Sequence, residues 1–160
     1  MRDKRFVAVH RGGTLKKEQH QQLMLWGCNC AEHVLSLFGK EIDKRLKNAL
    51  IVAKEWIKGN VSVGDAREAS LRAHEVARES SNPTSIAVAR SVGHAVATAH
   101  MSDHSLGAAL YALKAVSSVG KSIDLERKWQ NEQLPNEIMD LVLTSRNKKE
   151  KALKKIKDHD

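Results

Sequence analysis

From Ile86 to His100 apolar residues cover most of a helix's circumference, and no other stretch limits the fold so sharply. On a 3.6-residue repeat, Ile86, Ala89, Gly93, Val96 and His100 form one stripe, with Val88, Val92, Ala95 and Ala99 beside it. Only a line through Arg90, His94 and Thr98 stays polar. Such a helix can be stable only when other protein surrounds it. The segment Asp103 to Ser118 repeats the pattern with Leu106, Ala109, Leu110, Leu113 and Val116. Its small residues Gly107, Ala108, Ala109 and Ala112 permit close helix approach. An alanine-rich interior predicts short interaxial distances and little room for a ligand cavity.

The rest of the chain supplies the wrapping. Arg11-Gly12-Gly13 reads as a turn, with Thr14 as cap of a first helix that runs to about Phe38 and stops at Gly39. Leu23, Trp26, Cys30, His33 and Leu37 are its seam. A second helix spans about Ile42 to Lys58 and stops at Gly59. Ser62 and Asp65 form a capping box for a third, ending near Glu79. Asn82-Pro83 opens the fourth, expected to reach about Met101. The fifth ends at Gly120, a sixth starts at Ser122, and a seventh follows Leu134-Pro135. Phe6 to Arg11 is the one strand-like hexapeptide, too isolated to form a sheet. The expected fold is all-α, a compact orthogonal or antiparallel bundle of six to seven helices. One domain covers residues 1–145 with a short N-terminal arm, and 146–160 form a basic tail.

The 160 residues are enough for one core. The net charge of +8 divides unevenly: +5 in residues 1–17, +4 in 145–160 and −1 between. That distribution predicts solvated basic arms and not a grooved basic face. Aromatic residues are 4% and do not interleave with the basic clusters, which argues against specific nucleic-acid binding. No apolar run approaches the ~18 residues a membrane span needs, and the N-terminus has no signal-peptide core. The expected location is the cytoplasm, with no membrane association.

Eight histidines are the feature most suggestive of chemistry. His100 and His104 are four apart and would share a face on an unbroken helix, a spacing that can seat one transition metal with Asp103 beside it. Ser102-Asp103 is also a good helix break, which would separate them. His94 lies about 120° round the helix from His100, so one helix cannot present all three. His33 and Cys30 join only if the first helix packs nearby. The plainer expectation makes His33 and His100 hydrogen-bonded core residues, and His74, beside Arg72, Glu75 and Arg78, a boundary residue. Cys28 and Cys30 point apart on a helix and read as buried hydrophobes. Phosphate loops, HExxH and zinc-ribbon spacings are absent, so no catalytic or cofactor-binding residues are assigned and the chain reads as a non-enzyme.

Longer strings carry a family likeness. They begin with Arg2-Asp3-x-Arg5-Phe6-Val7, Arg11-Gly12-Gly13-Thr14-Leu15 and Leu25-Trp26-x-x-x-Cys30-Ala31-Glu32-His33. Gly93-His94-Ala95-x-Ala97-Thr98-Ala99-His100 and His104-Ser105-Leu106-Gly107 follow, then Glu126-Arg127-x-Trp129-Gln130 before Leu134-Pro135. In this order they resemble the immunity-5-like proteins of bacterial polymorphic toxin systems. The resemblance implies an all-helical cytoplasmic protein that binds and neutralises a cognate toxin through a helical surface. It transfers no catalytic residue. The near-neutral body and basic ends favour an acidic toxin over charge mimicry against a basic nuclease. Two other function classes remain open. One is a metal-binding helical protein, with a hydrolase as one form of it, that uses His94, His100, His104 or His33 for a divalent ion. The other is a basic accessory protein that touches RNA through its ends. An apolar outer surface on the fourth and fifth helices would add a homodimer.

Overall fold

A computed structural model of the chain describes residues 3–159, with side chains through Lys148. The expected tail lysines at 149, 151, 154, 155 and 157 lie outside the described side chains. Two 3-10 turns, Lys4–Phe6 and Val9–Arg11, precede the helices α1 (Lys17–Val34), α2 (Lys44–Ile57), α3 (Val63–Glu79), α4 (Pro83–Ala97), α5 (His104–Ser118), α6 (Ile123–Glu132) and α7 (Asn136–His159). A further 3-10 turn, Leu35–Phe38, extends α1. The fold is an all-α bundle, as the apolar spacing requires.

The caps explain most boundaries. The Ser62 hydroxyl accepts from the Asp65 amide at 3.0 Å, and Asp65 returns a bond to the Ser62 amide at 3.0 Å. The Asn82 side chain accepts from the amides of Thr84 and Ser85, with Pro83 at the first helical position. Ser122 caps α6 through the Leu125 amide. Gly59 and Gly120 end α2 and α5 with φ of 81° and 76°, the left-handed region that side chains avoid.

Two boundaries differ from expectation. α4 stops at Ala97, and Thr98–His100 turn before α5 begins. No glycine or proline marks that turn. The Ser102 hydroxyl instead bonds the Phe6 carbonyl, so the N-terminal segment holds it. At the other end, Thr14 does not cap α1. Leu15 is extended: its amide donates to the Val7 carbonyl at 3.0 Å, and it accepts from the Val9 amide at 3.1 Å. Gly13 permits this return, because a Cβ there would lie 2.0 Å from the Val7 oxygen. The N-terminal residues are therefore folded onto the bundle, with Phe6 and Leu15 buried, and are not a solvated arm.

α4 is the hub, packed by α1, α2, α3 and α5. Its Ala89, Val92, Ala95 and Val96 sit in a core shared with α2 and α3. Its Ala87 and Val88 join a second core with α1, α5 and α7. α1 divides the cores: Met24 and Cys28 face the first, while Leu23, Trp26 and Cys30 face the second. The cysteines are thus on opposite sides of one helix. Burial pushes the Cys28 thiol up to about 12 and Cys30 higher still, so both are inert. α4 buries most of its apolar residues within the chain.

Candidate functional site

Four histidines meet where α3, α4 and the start of α5 converge. The α4–α5 turn brings together His94, His100 and His104, which a continuous helix could not. The His94 and His104 Nδ1 atoms lie 3.0 Å apart, and the His100 and His104 rings have centroids 5.3 Å apart. His74, expected at the boundary, extends the row: its ring stands edge-on to His94 at 5.3 Å. Tyr111 lies parallel to His94 at 5.2 Å on the other side, with the Lys114 ammonium 4.7 Å from the Tyr111 centroid.

Two glycines make room for this row. A Cβ on Gly93 would sit 2.6 Å from the His74 ring, and one on Gly107 would sit 2.9 Å from that of His94. The close approach expected of these small residues accommodates imidazoles as well as backbones. Arg90 donates to His74 Nδ1 at 2.7 Å. Because a guanidinium can only donate, that nitrogen carries no proton, and the His74 proton sits on Nε2. Burial, followed by the charges of Arg90 and Arg78, lowers the His74 pKa to about 4. His100 is lowered too, first by desolvation and then by His104 and Arg67, and its buried Nδ1 has no hydrogen-bond partner. At neutral pH both are uncharged.

His33 is elsewhere. Its Nδ1 lies 2.6 Å from the buried Glu126 carboxylate, and its ring stacks on Trp129 at 3.5 Å with a 7° interplanar angle. The expected hydrogen bond is present, to a carboxylate on α6, but His33 is 39% exposed and lies at the surface of α1 and not in the core. The same region contains a buried polar chain. Trp26 donates to the Gln130 carbonyl at 2.8 Å, and Gln130 donates to the Ala109 carbonyl at 3.1 Å. Arg146 donates to Gln130 Oε1 at 2.7 Å and to Asn131 Oδ1 at 3.1 Å. Arg146, counted with the basic end in the sequence, is therefore a core residue.

The histidine row therefore offers a metal two close nitrogens and a third ring nearby, without His33 or Cys30. Among the described residues, no three His, Cys, Asp or Glu side chains are arranged to hold a metal ion. A structural zinc site uses four ligands and a catalytic one three.

At its His100 end the row opens into a cleft of about 730 Å³. The N-terminal segment forms one wall and the first turns of α1 a second. The end of α2 and the α4–α5 turn close it. His20 donates its Nε2 proton to the Thr98 carbonyl at 2.6 Å, and Gln21 donates to the Ile57 carbonyl at 3.2 Å, so α1 ties down the C-terminal ends of both α4 and α2. His20 also packs on Trp56 at 4.9 Å. Arg11, Lys16, Lys17 and Lys58 line the cleft, and among the described residues no Asp or Glu does. The alanine-rich interior was expected to leave little room for a ligand cavity, yet one exists beside it, and the basic N-terminal end forms a groove. Sequence reasoning missed this because the groove depends on Gly13 folding the N-terminus back.

Among the described residues, no helix is long and apolar enough to cross a membrane. A family model described as Imm-5 like putative immunity protein matches residues 13–137, which contain all of α1 to α6. No curated protein and no solved structure matches the chain.

Proposed function

The chain belongs to the Imm-5-like immunity protein family, and on that premise we propose that it protects a bacterial cytoplasm by binding and neutralising one cognate protein toxin. The observation that carries this reading is the extent of the match, which includes six of the seven described helices and not an isolated motif. Two closely packed apolar cores beneath the surface helices suit inhibition by binding, because a preorganised surface loses little freedom on association. Nothing in the reading requires turnover or a cofactor. The metal alternative has weaker support, since His94 and His104 supply one close nitrogen pair where a stable site needs more ligands.

The test is protection. The chain is co-produced in a bacterial host with individual toxins from polymorphic systems, and survival is scored alongside co-elution of purified toxin and chain. Survival with one toxin, together with a stoichiometric complex, is the expected result. Well-folded chain that rescues no strain and retains no toxin would remove the reading.

A further inference from the structure

We propose that the cleft at the N-terminal edge is the docking groove for an acidic, apolar-anchored segment of the partner protein; this deepens the immunity reading and rests on it. The first argument is charge. Arg11, Lys16 and Lys17 are exposed on the cleft's walls, and among the described residues none has a carboxylate partner, although the molecule pairs many surface charges elsewhere, as Arg45 does with Asp43 and Glu79. Lys16 and Lys17 also stand at the N-terminus of α1, where the helix dipole adds to the positive potential. Three unneutralised cations around a concavity without acidic residues attract an anionic group and repel a basic one.

The second argument is the apolar lining. Val9 is 59% exposed and Val63 44%, and both line the cleft. Isolated exposed apolar residues are ordinary, but Val9 and Val63 on one concavity, with half-buried Trp56 and Ile57 also lining it, form a seat for an apolar side chain. The volume falls within the ~300–1,000 Å³ typical of sites that enclose a ligand-sized group. RNA fits less well. Single-stranded nucleic acid needs successive exposed rings for stacking, and among the described lining residues the aromatic side chains are half-buried Trp56 and buried Phe6.

The experiment titrates the full chain calorimetrically with three probes: a short peptide of Glu and Leu, its counterpart of Lys and Leu, and oligouridylate. We expect the Glu/Leu peptide alone to bind, with affinity falling as salt rises. Binding should weaken roughly tenfold or more in an Arg11→Glu/Lys16→Glu/Lys17→Glu variant, and also in Val63→Asp, but remain unchanged in Lys128→Glu on α6. All substituted residues are exposed, and thermal melts verify folding. Binding of neither peptide, equal binding of both, preference for oligouridylate, or indifference to the triple variant would overturn the proposal. In the protection assay, a triple variant that protects as well as the native chain overturns the groove and leaves the immunity reading intact. Failure of the native chain to protect overturns the immunity reading, and the peptide titration still decides the groove.

Discussion

His33 and His100 occupy the same kind of seam position in the sequence and opposite kinds of place in the structure. Around His33 the polar groups are paired: the ring meets Glu126 and lies on Trp129, while Gln130, Asn131 and Arg146 satisfy one another behind it. His100 ends a row of four imidazoles, leaves a buried nitrogen without a partner and borders a cleft. The first region fixes α1, α6 and α7 together. In the second, the pairing is less complete and the row ends beside open space. Both regions contribute to the strings that carry the family likeness, so membership alone cannot separate scaffold from surface.

The comparison is broken most directly at Arg146. Arg146→Leu removes two hydrogen bonds and leaves Gln130 Oε1 buried without a donor, which should cost about 2–4 kcal/mol in urea unfolding, with little change in slope. A cost below about 1 kcal/mol would show that the His33 side is not the scaffold it resembles.

A somewhat smaller effect is expected at Gly107. Gly107→Ala places a methyl against the Cβ and ring of His94 and should cost about 1–3 kcal/mol. Adding His94→Ala should return part of that loss, so a double-mutant cycle with no coupling would disprove the contact.

Acidification provides a third comparison. His74 and His100 have folded pKa values below their unfolded ones, so the unfolded chain binds more protons once pH falls below about 6.5, for His74 down to about 4. Their contribution is present above the unfolded pKa and is lost as pH falls through that window. Stability should therefore decrease on acidification, and His74→Gln should flatten the slope. A slope unchanged by that substitution would place the proton uptake elsewhere. The smallest effect belongs to Val9→Ser on the cleft wall, expected within about ±0.5 kcal/mol of native stability while it weakens partner binding.

Local chemistry made much of the fold legible. Ser62 with Asp65, Asn82-Pro83 and Ser122 mark helix starts through bonds made within three residues, and Gly59 and Gly120 mark ends through backbone freedom. The all-round apolar pattern of α4 likewise identified the hub. The break before α5 was legible in Ser102-Asp103, but the earlier stop of α4 at Ala97 was not, and there the Ser102 hydroxyl is held by Phe6, nearly a hundred residues away. His74 lay hidden for a related reason: its neighbours in sequence are charged, and only the packing of α3 on α4 over Gly93 brings it to His94. The basic groove was invisible in the charge count, since lysines in an arm and lysines in a wall give the same sum.

The alanine lining of the interior also constrains how such a protein can change over generations. Ala89, Ala95, Ala108 and Ala112 are fully buried between closely spaced helices, where any larger side chain would force backbones apart. Heritable variation that preserves folding is thus steered away from the centre and toward the rim. A lineage obliged to track an altered toxin would do so by exchanging exposed residues such as Val9, Arg11, Lys17 and Val63, while the helices beneath them keep their spacing.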